Sequence, residues 1–297
     1  MRFGLLVTAV ILIGGFIFWK DITTIVKGKQ SEKNEKVKTG KGSKKNTQQP
    51  SPEIRIMDKW DLPADLKEVS GIAYIDKERF ACVQDEEGTI FIYNRVTNKI
   101  EKEIPFAAPG DYEGITLNGN TAYVVRADGR IYEIDMNAAK ASAKEYKTPL
   151  TVDHNVEGLC YDKDNNRLLL AIKGDEPGNK DYKGIYAFDL SKKTLAAEPV
   201  FKIDLNHAMI NTEGGKKKKS FMPSAIGIHP ETKEFYITDG PKSGLLIMDA
   251  SGNIKKLLQL GKDFAQPEGI TFSPQGEVFI SNEGTKQPGN ILQVQVQ

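Results

Sequence analysis

The chain has 297 residues, 39% of them hydrophobic, with 41 Lys and Arg against 40 Asp and Glu and a formal net charge of +1. Two cysteines and a near-neutral balance exclude a disulfide-stapled miniprotein and a uniformly basic polyanion binder. The charge is unevenly spread: residues 20–50 carry +6, whereas residues 51–297 carry −6, which argues against nucleic acid as the partner of the larger part.

Residues 3–19 form an uncharged apolar run ending in the bulky Phe16, Ile17, Phe18 and Trp19. It is short for a membrane span and long for a cleavable signal, and no small-residue cleavage site follows it. Residues 1–19 are therefore expected to be an uncleaved transmembrane signal anchor, with a cleaved signal as the alternative. Residues 20–52 are rich in Lys, Asn, Gln, Ser and Gly and read as a disordered linker. The lysines alone would hold this linker in the cytoplasm. The short N-terminus with Arg2 and the large β-rich domain after it point to an exported domain.

From residue 53 onward one phrase recurs: an acidic or hydroxyl residue, a small residue, then an apolar strand start. It reads Ser70-Gly71-Ile72, Glu113-Gly114-Ile115, Glu157-Gly158-Leu159, Ser224-Ala225-Ile226 and Glu268-Gly269-Ile270, at steps of 43, 44, 67 and 44 residues. In the first unit the phrase opens a strand over 70–75, and turn residues separate further strands over 79–84, 89–93 and 99–106. Four short strands in each forty-odd residues describe a propeller blade. The expected fold of residues 53–297 is thus an all-β, five-bladed β-propeller. The longer third step is assigned to surface loops over 174–183 and 206–222; a sixth blade is the alternative. The fifth unit stops after three strands, over 268–272, 277–282 and 290–296. Residues 53–62 have strand character and are expected to close the ring beside the last strand.

Equivalent residues of a propeller converge on one mouth of its channel, which brings together Glu113, Glu157 and Glu268 with Ser70 and Ser224. The second strands end near Asp85, Asp128, Asp175, Asp239 and Asn282, expected close to the same mouth. Massed carboxylates repel one another, and a hard cation relieves that repulsion. Oxygen donors without clustered His or Cys suit Ca²⁺. The aspartates are equally common turn formers. His154, just before Glu157, is a candidate general base for metal-assisted hydrolysis and equally a polar loop residue. Cys82 and Cys160 fall in non-adjacent blades and are read as ordinary buried residues.

The ordered set LKEVSGIAY, DYEGITL, NVEGLCYD and AQPEGITFSPQGEVFISNE resembles the SdiA-regulated protein family of bacteria over residues 54–297. The resemblance implies a membrane segment followed by a five-bladed propeller, and a calcium site whose glutamates match Glu113, Glu157 and Glu268. Together with the exported orientation expected from the N-terminus, a bacterial family would put the anchor in the inner membrane and the propeller on its periplasmic side. The expected function is a tethered calcium-binding module for a protein or small-molecule ligand at the channel mouth. The alternative is a metal-dependent hydrolase, by analogy with lactonase, esterase and phosphatase-like propellers.

Overall fold

Short apolar runs bounded by Gly, Asp and Asn turns fold here into strands in a computed structural model that describes residues 53–138, 142–211 and 220–297. The anticipated anchor and linker lie outside the described residues. Among the described residues no helix is long and apolar enough to cross a membrane.

The first strand, β1 (Ile54–Asp61), precedes the first repeat. Blade one is then built from β2 (Val69–Tyr74), β3 (Arg79–Gln84), β4 (Thr89–Asn94) and β5 (Lys99–Pro105). Blade two follows with β6 (Tyr112–Asn118), β7 (Thr121–Arg126), β8 (Ile131–Asp135) and β9 (Ala143–Tyr146). Blade three has β10 (Val156–Asp162), β11 (Arg167–Ile172) and β12 (Tyr182–Asp189), with an outer strand split into β13 (Thr194–Leu195) and β14 (Phe201–Asp204). The split falls at Ala197–Pro199, where proline has no N–H to give the ladder; Ala196 N–H and Val200 N–H still reach β12 at 2.8 Å on either side. Blade four is β15 (Pro223–Ile228), β16 (Phe235–Asp239), β17 (Gly244–Met248) and β18 (Ile254–Gln259). Blade five is β19 (Pro267–Phe272), β20 (Val278–Asn282) and β21 (Asn290–Val296), with β1 as its fourth strand. β1 runs antiparallel to β21 from Ile54 opposite Val296 to Asp61 opposite Asn290.

Five sheets, not six, account for the described chain. The extra length of the third repeat lies in the β11–β12 hairpin, the split outer strand and the passage into β15. Middle strands such as β4 and β17 are buried along their whole length, because each has a neighbouring blade on both faces. Outer strands such as β5 are mostly exposed and charged. The apolar interior has no single centre. It forms five clusters, each wedged between two consecutive blades, and the last joins Phe279 and Ile291 of blade five to Ile72, Phe80 and Cys82 of blade one. Cys82 and Cys160 are free, buried and in different blades, and burial pushes both thiols up.

The repeated phrase has a packing cause. The innermost strands β2, β6, β10, β15 and β19 lie against one another in a closed ring. A Cβ on Gly71 would stand 2.7 Å from the Glu113 carbonyl oxygen, and one on Gly114 would stand 2.7 Å from Leu159 Cβ and 2.8 Å from the Glu157 carbonyl oxygen. The glycine is therefore what lets adjacent inner strands approach. Gly114→Ala is expected to push two blades apart at a cost of about 2 kcal/mol, lowering Tm by roughly 5 °C. An unchanged melting curve would show slack in the ring. The third residue of each phrase closes the axis: Ile72, Ile115, Leu159, Ile226 and Ile270 are all buried. Beyond them, at the C-terminal ends of the inner strands, the channel widens into a funnel of about 400 Å³ bordered by Tyr74, Tyr161 and Phe272.

Candidate functional site

The first residue of each phrase is set apart by the backbone itself. In all five blades the register between first and second strands slips by one residue at this point: between Val69 and Gly71, Tyr112 and Gly114, Val156 and Gly158, Pro223 and Ala225, and Pro267 and Gly269. Ser70, Glu113, Glu157, Ser224 and Glu268 are thus each the unpaired residue of a β-bulge. A bulge re-aims a side chain out of the sheet's alternation. The three glutamates border a narrow void of about 10 Å³, together with Gly71, Gly114, Ala225, Gly269 and the aliphatic collar. A void of that size admits roughly one water or one ion.

The two serines do not join that void. Ser224 Oγ donates to the Pro267 carbonyl at 2.6 Å and meets Thr238 Oγ1 at 2.9 Å, tying blade four to blade five. Ser70 Oγ turns back to the Glu68 carbonyl at 3.4 Å. Charge therefore enters the ring from blades two, three and five only.

Glu157 and Glu268 are buried and Glu113 is half-buried. Burial raises the Glu113 carboxyl far above its ordinary range, and Glu157, Asp111 and Glu268 raise it further. Glu157 is raised by burial too, against the opposing pull of Lys173. Glu268 is raised by burial, with Lys173 and the Gln266 side chain holding it back and Glu283 and Asp239 adding to the rise. Lys173 Nζ sits 2.7 Å from Glu157 Oε2, while Asn155 Nδ2 donates to Glu157 Oε1 at 2.8 Å. Burial alone would lower the Lys173 ammonium; Glu157, Glu268 and Glu113 together outweigh it and raise it.

Around this centre lies an outer acidic shell. Asp85 is pushed up to about 6 by partial burial, then by Glu68, Glu283 and Asp111. Asp239 is pushed up to about 6 by burial, relieved in part by Lys242 and Lys173. Asp128 faces elsewhere: Arg126 and Arg130 hold it in ion pairs that keep its carboxyl low. Asp175 is exposed and pairs with Lys183 Nζ at 2.9 Å. Asn282 Nδ2 donates to Asn290 Oδ1 at 3.0 Å, and its own buried Oδ1 has no hydrogen-bond partner among the described residues. His154 is buried, and its Nδ1 accepts the Thr151 N–H at 3.0 Å, a contact that closes its own loop.

The positions that pair with the start of each inner strand are Gln84, Arg126, Ile172, Asp239 and Asn282. One residue further on stand Asp85, Ala127, Lys173, Gly240 and Glu283. Lys173 and Glu283 thus belong to the mouth although no fixed spacing from the phrase marks them, whereas Glu68 and Asp111, which act on Asp85 and Glu113, each stand two residues before the phrase, a regular offset that the sequence does carry.

In donor chemistry the mouth suits a hard divalent cation: its inner groups are oxygens, negatively charged in excess and penalised for lacking a counter-charge. Among the described residues no three Asp, Glu, His or Cys side chains stand together as a ready metal centre. The nearest cation is the Lys173 ammonium.

A profile of the SdiA-regulated family matches residues 47–286. A search of the curated proteins finds no match to the sequence. Among solved structures, the fold is similar to that of the glutaminyl cyclase of Myxococcus xanthus, at 14% identity over 82% of this chain and 96% of that one, with a TM-score of 0.57. It is also similar to the PQQ-bound aldose sugar dehydrogenase of Streptomyces coelicolor, at 12% identity over 82% and 98%, with a TM-score of 0.53. At these identities the likeness is one of fold, and the wider family match is what assigns the chain: it belongs to the SdiA-regulated family.

Proposed function

We propose that this propeller is a cation-responsive binding module, with Glu113, Glu157 and Glu268 as the inner ligands for Ca²⁺ and a partner received at the same mouth. The observation that carries the reading is that three bulge glutamates border one ion-sized void and that burial and neighbouring carboxylates raise the Glu113 and Glu157 carboxyls, a cost that an added cation would relieve. Bound Ca²⁺ would be that cation. Asp239 and Glu283, which both act on the Glu268 carboxyl, would be its outer carboxylates, with Asp85 behind Glu283. The apolar segment over residues 3–19 would tether the module to the inner membrane, with the propeller on the periplasmic side.

Calorimetric titration of the full chain in detergent should give saturable Ca²⁺ binding that Glu157→Gln weakens at least about tenfold, since one charged ligand typically contributes 1.4 kcal/mol or more. Absence of heat, together with a melting temperature indifferent to EDTA and Ca²⁺, would sink the reading. Turnover of a lactone or phosphoester that disappears in Glu157→Gln would move it to a metal-dependent hydrolase.

A further inference from the structure

One place in the mouth carries a cation in blade three and in no other blade. Where the neighbouring blades carry Asp85, Ala127, Gly240 and Glu283, blade three carries Lys173. Its ammonium reaches inward to Glu157 Oε2 at 2.7 Å, yet its side chain keeps 18% of its surface exposed against 4% for its partner. The void that the glutamates line has room for about one water-sized occupant. The ammonium stands outside that void but holds Glu157 Oε2, so a divalent ion taken by the same carboxylate would face a like charge across a single carboxylate and compete for that oxygen.

We propose that Lys173 is a tethered counter-cation that a divalent ion must displace from Glu157, so that this one residue sets the affinity of the mouth. The inference rests on the cation-binding reading above and names what regulates that site. The displaced ammonium has somewhere to go. Asp239 and Glu283 flank the mouth, and both carboxylates already feel the same ammonium from their outer positions. A long, flexible lysine stem allows the swing at little cost in packing. With the ammonium inward, the ring is partly neutralised and the ion-free fold is kept from the full repulsion of its carboxylates. With a divalent ion inward, the ammonium joins the outer carboxylates and the charge of the outer rim changes. A partner that reads the rim would thereby sense the ion.

Three proteins test this: the full-length chain, Lys173→Met and Lys173→Arg, each titrated with Ca²⁺ by calorimetry. Removing the competitor should tighten Ca²⁺ binding about ten- to a hundredfold, the worth of a charge-assisted contact, and Lys173→Arg should remain weak. A second measurement needs no variant. Amine labelling of the unmodified chain, read by mass spectrometry, should become faster at Lys173 when Ca²⁺ is added, because the ammonium leaves the glutamates for the rim. If Lys173→Met binds Ca²⁺ no more tightly than the unmodified chain, or if Ca²⁺ leaves Lys173 labelling unchanged or slows it, Lys173 is no competitor, while the cation-binding reading stands. If neither protein binds Ca²⁺, that reading fails and this inference with it. Should Lys173→Met not fold, the labelling experiment decides alone.

Discussion

A chain lacking residues 53–62 is expected to lose the folded propeller. Those residues contain the whole of β1, which covers the edge of β21 from Ile54 to Asp61. The contact continues past both ends of the ladder: Leu62 N–H donates to the Gly289 carbonyl at 2.7 Å, and Gln297 N–H to the Glu53 carbonyl at 3.0 Å. Leu62 is buried, and the Trp60 ring lies 6.4 Å from that of Phe279, with the Arg95 guanidinium of blade one stacked over it at 4.7 Å. The segment thus holds blade five together and also clamps it to blade one. The buried Leu62 and the half-buried Trp60 contribute about 2 kcal/mol each and the ladder's hydrogen bonds about 1 kcal/mol each. That sum is comparable to the whole stability of an ordinary domain, roughly 5–15 kcal/mol. The loss also exposes β21, an apolar edge that invites aggregation. β1 is the better outer edge, because it carries Arg55, Asp58 and Lys59 and a bulge at Met57. Circular dichroism melts of the deletion and of a chain lacking only residues 1–50 check this. Equal melting temperatures would show that β1 is dispensable.

The repeat was legible because packing imposes it on every blade. A small second residue is demanded by close approach, from the next inner strand at Gly71 and Gly114 and from the same blade's second strand at Gly158 and Gly269, and the apolar third residue by the collar on the axis. Strand positions followed to within a residue or two, since turn residues punctuate the chain: the expected strand over 70–75 is observed over 69–74. The glutamates could be placed at one mouth from the repeat alone. That they sit on bulges could not, because a one-residue slip leaves no mark in composition. The outer shell was less legible. Asp85, Asp128 and Asp239 each follow the phrase by 15 residues, yet they do not occupy equivalent places. The first hairpins differ in length, from the tight Asn118–Thr121 turn of blade two to the longer one between Ile228 and Phe235 in blade four. Equal spacing in sequence then becomes unequal register in space, and Lys173, one residue beyond the end of β11, escapes any fixed-offset pattern.

Stability without divalent cations is expected to fall as pH rises from about 5 to about 9, by about 2–4 kcal/mol in all. Glu113, Glu157 and Glu268 have carboxyls raised by burial first and then by neighbouring carboxylates (Glu157, Asp111 and Glu268 on Glu113, Glu268 on Glu157, Glu283 and Asp239 on Glu268), whereas in the unfolded chain they titrate in the ordinary range. A raised carboxyl means that the native state holds protons the unfolded state has already released. Stability from this source is full below the ordinary carboxylate range and drains away as pH climbs through the raised values. Asp85 and Asp239, both pushed up to about 6, add to the early part of the fall. The opposing groups act elsewhere. Asp76, Asp128, Glu133 and Glu234 are held low, and their contribution is lost only on acidification. Lys173 is raised, so its support persists through this range. Glu113→Gln should flatten the profile by removing the most strongly raised carboxyl, and saturating Ca²⁺ should flatten it in the unmodified chain by replacing protons with an ion. Thermal melts across pH in EDTA and in Ca²⁺ measure both effects. A flat profile in EDTA would mean that the mouth carries its charge without strain, and the physical reason for a cation there would be gone.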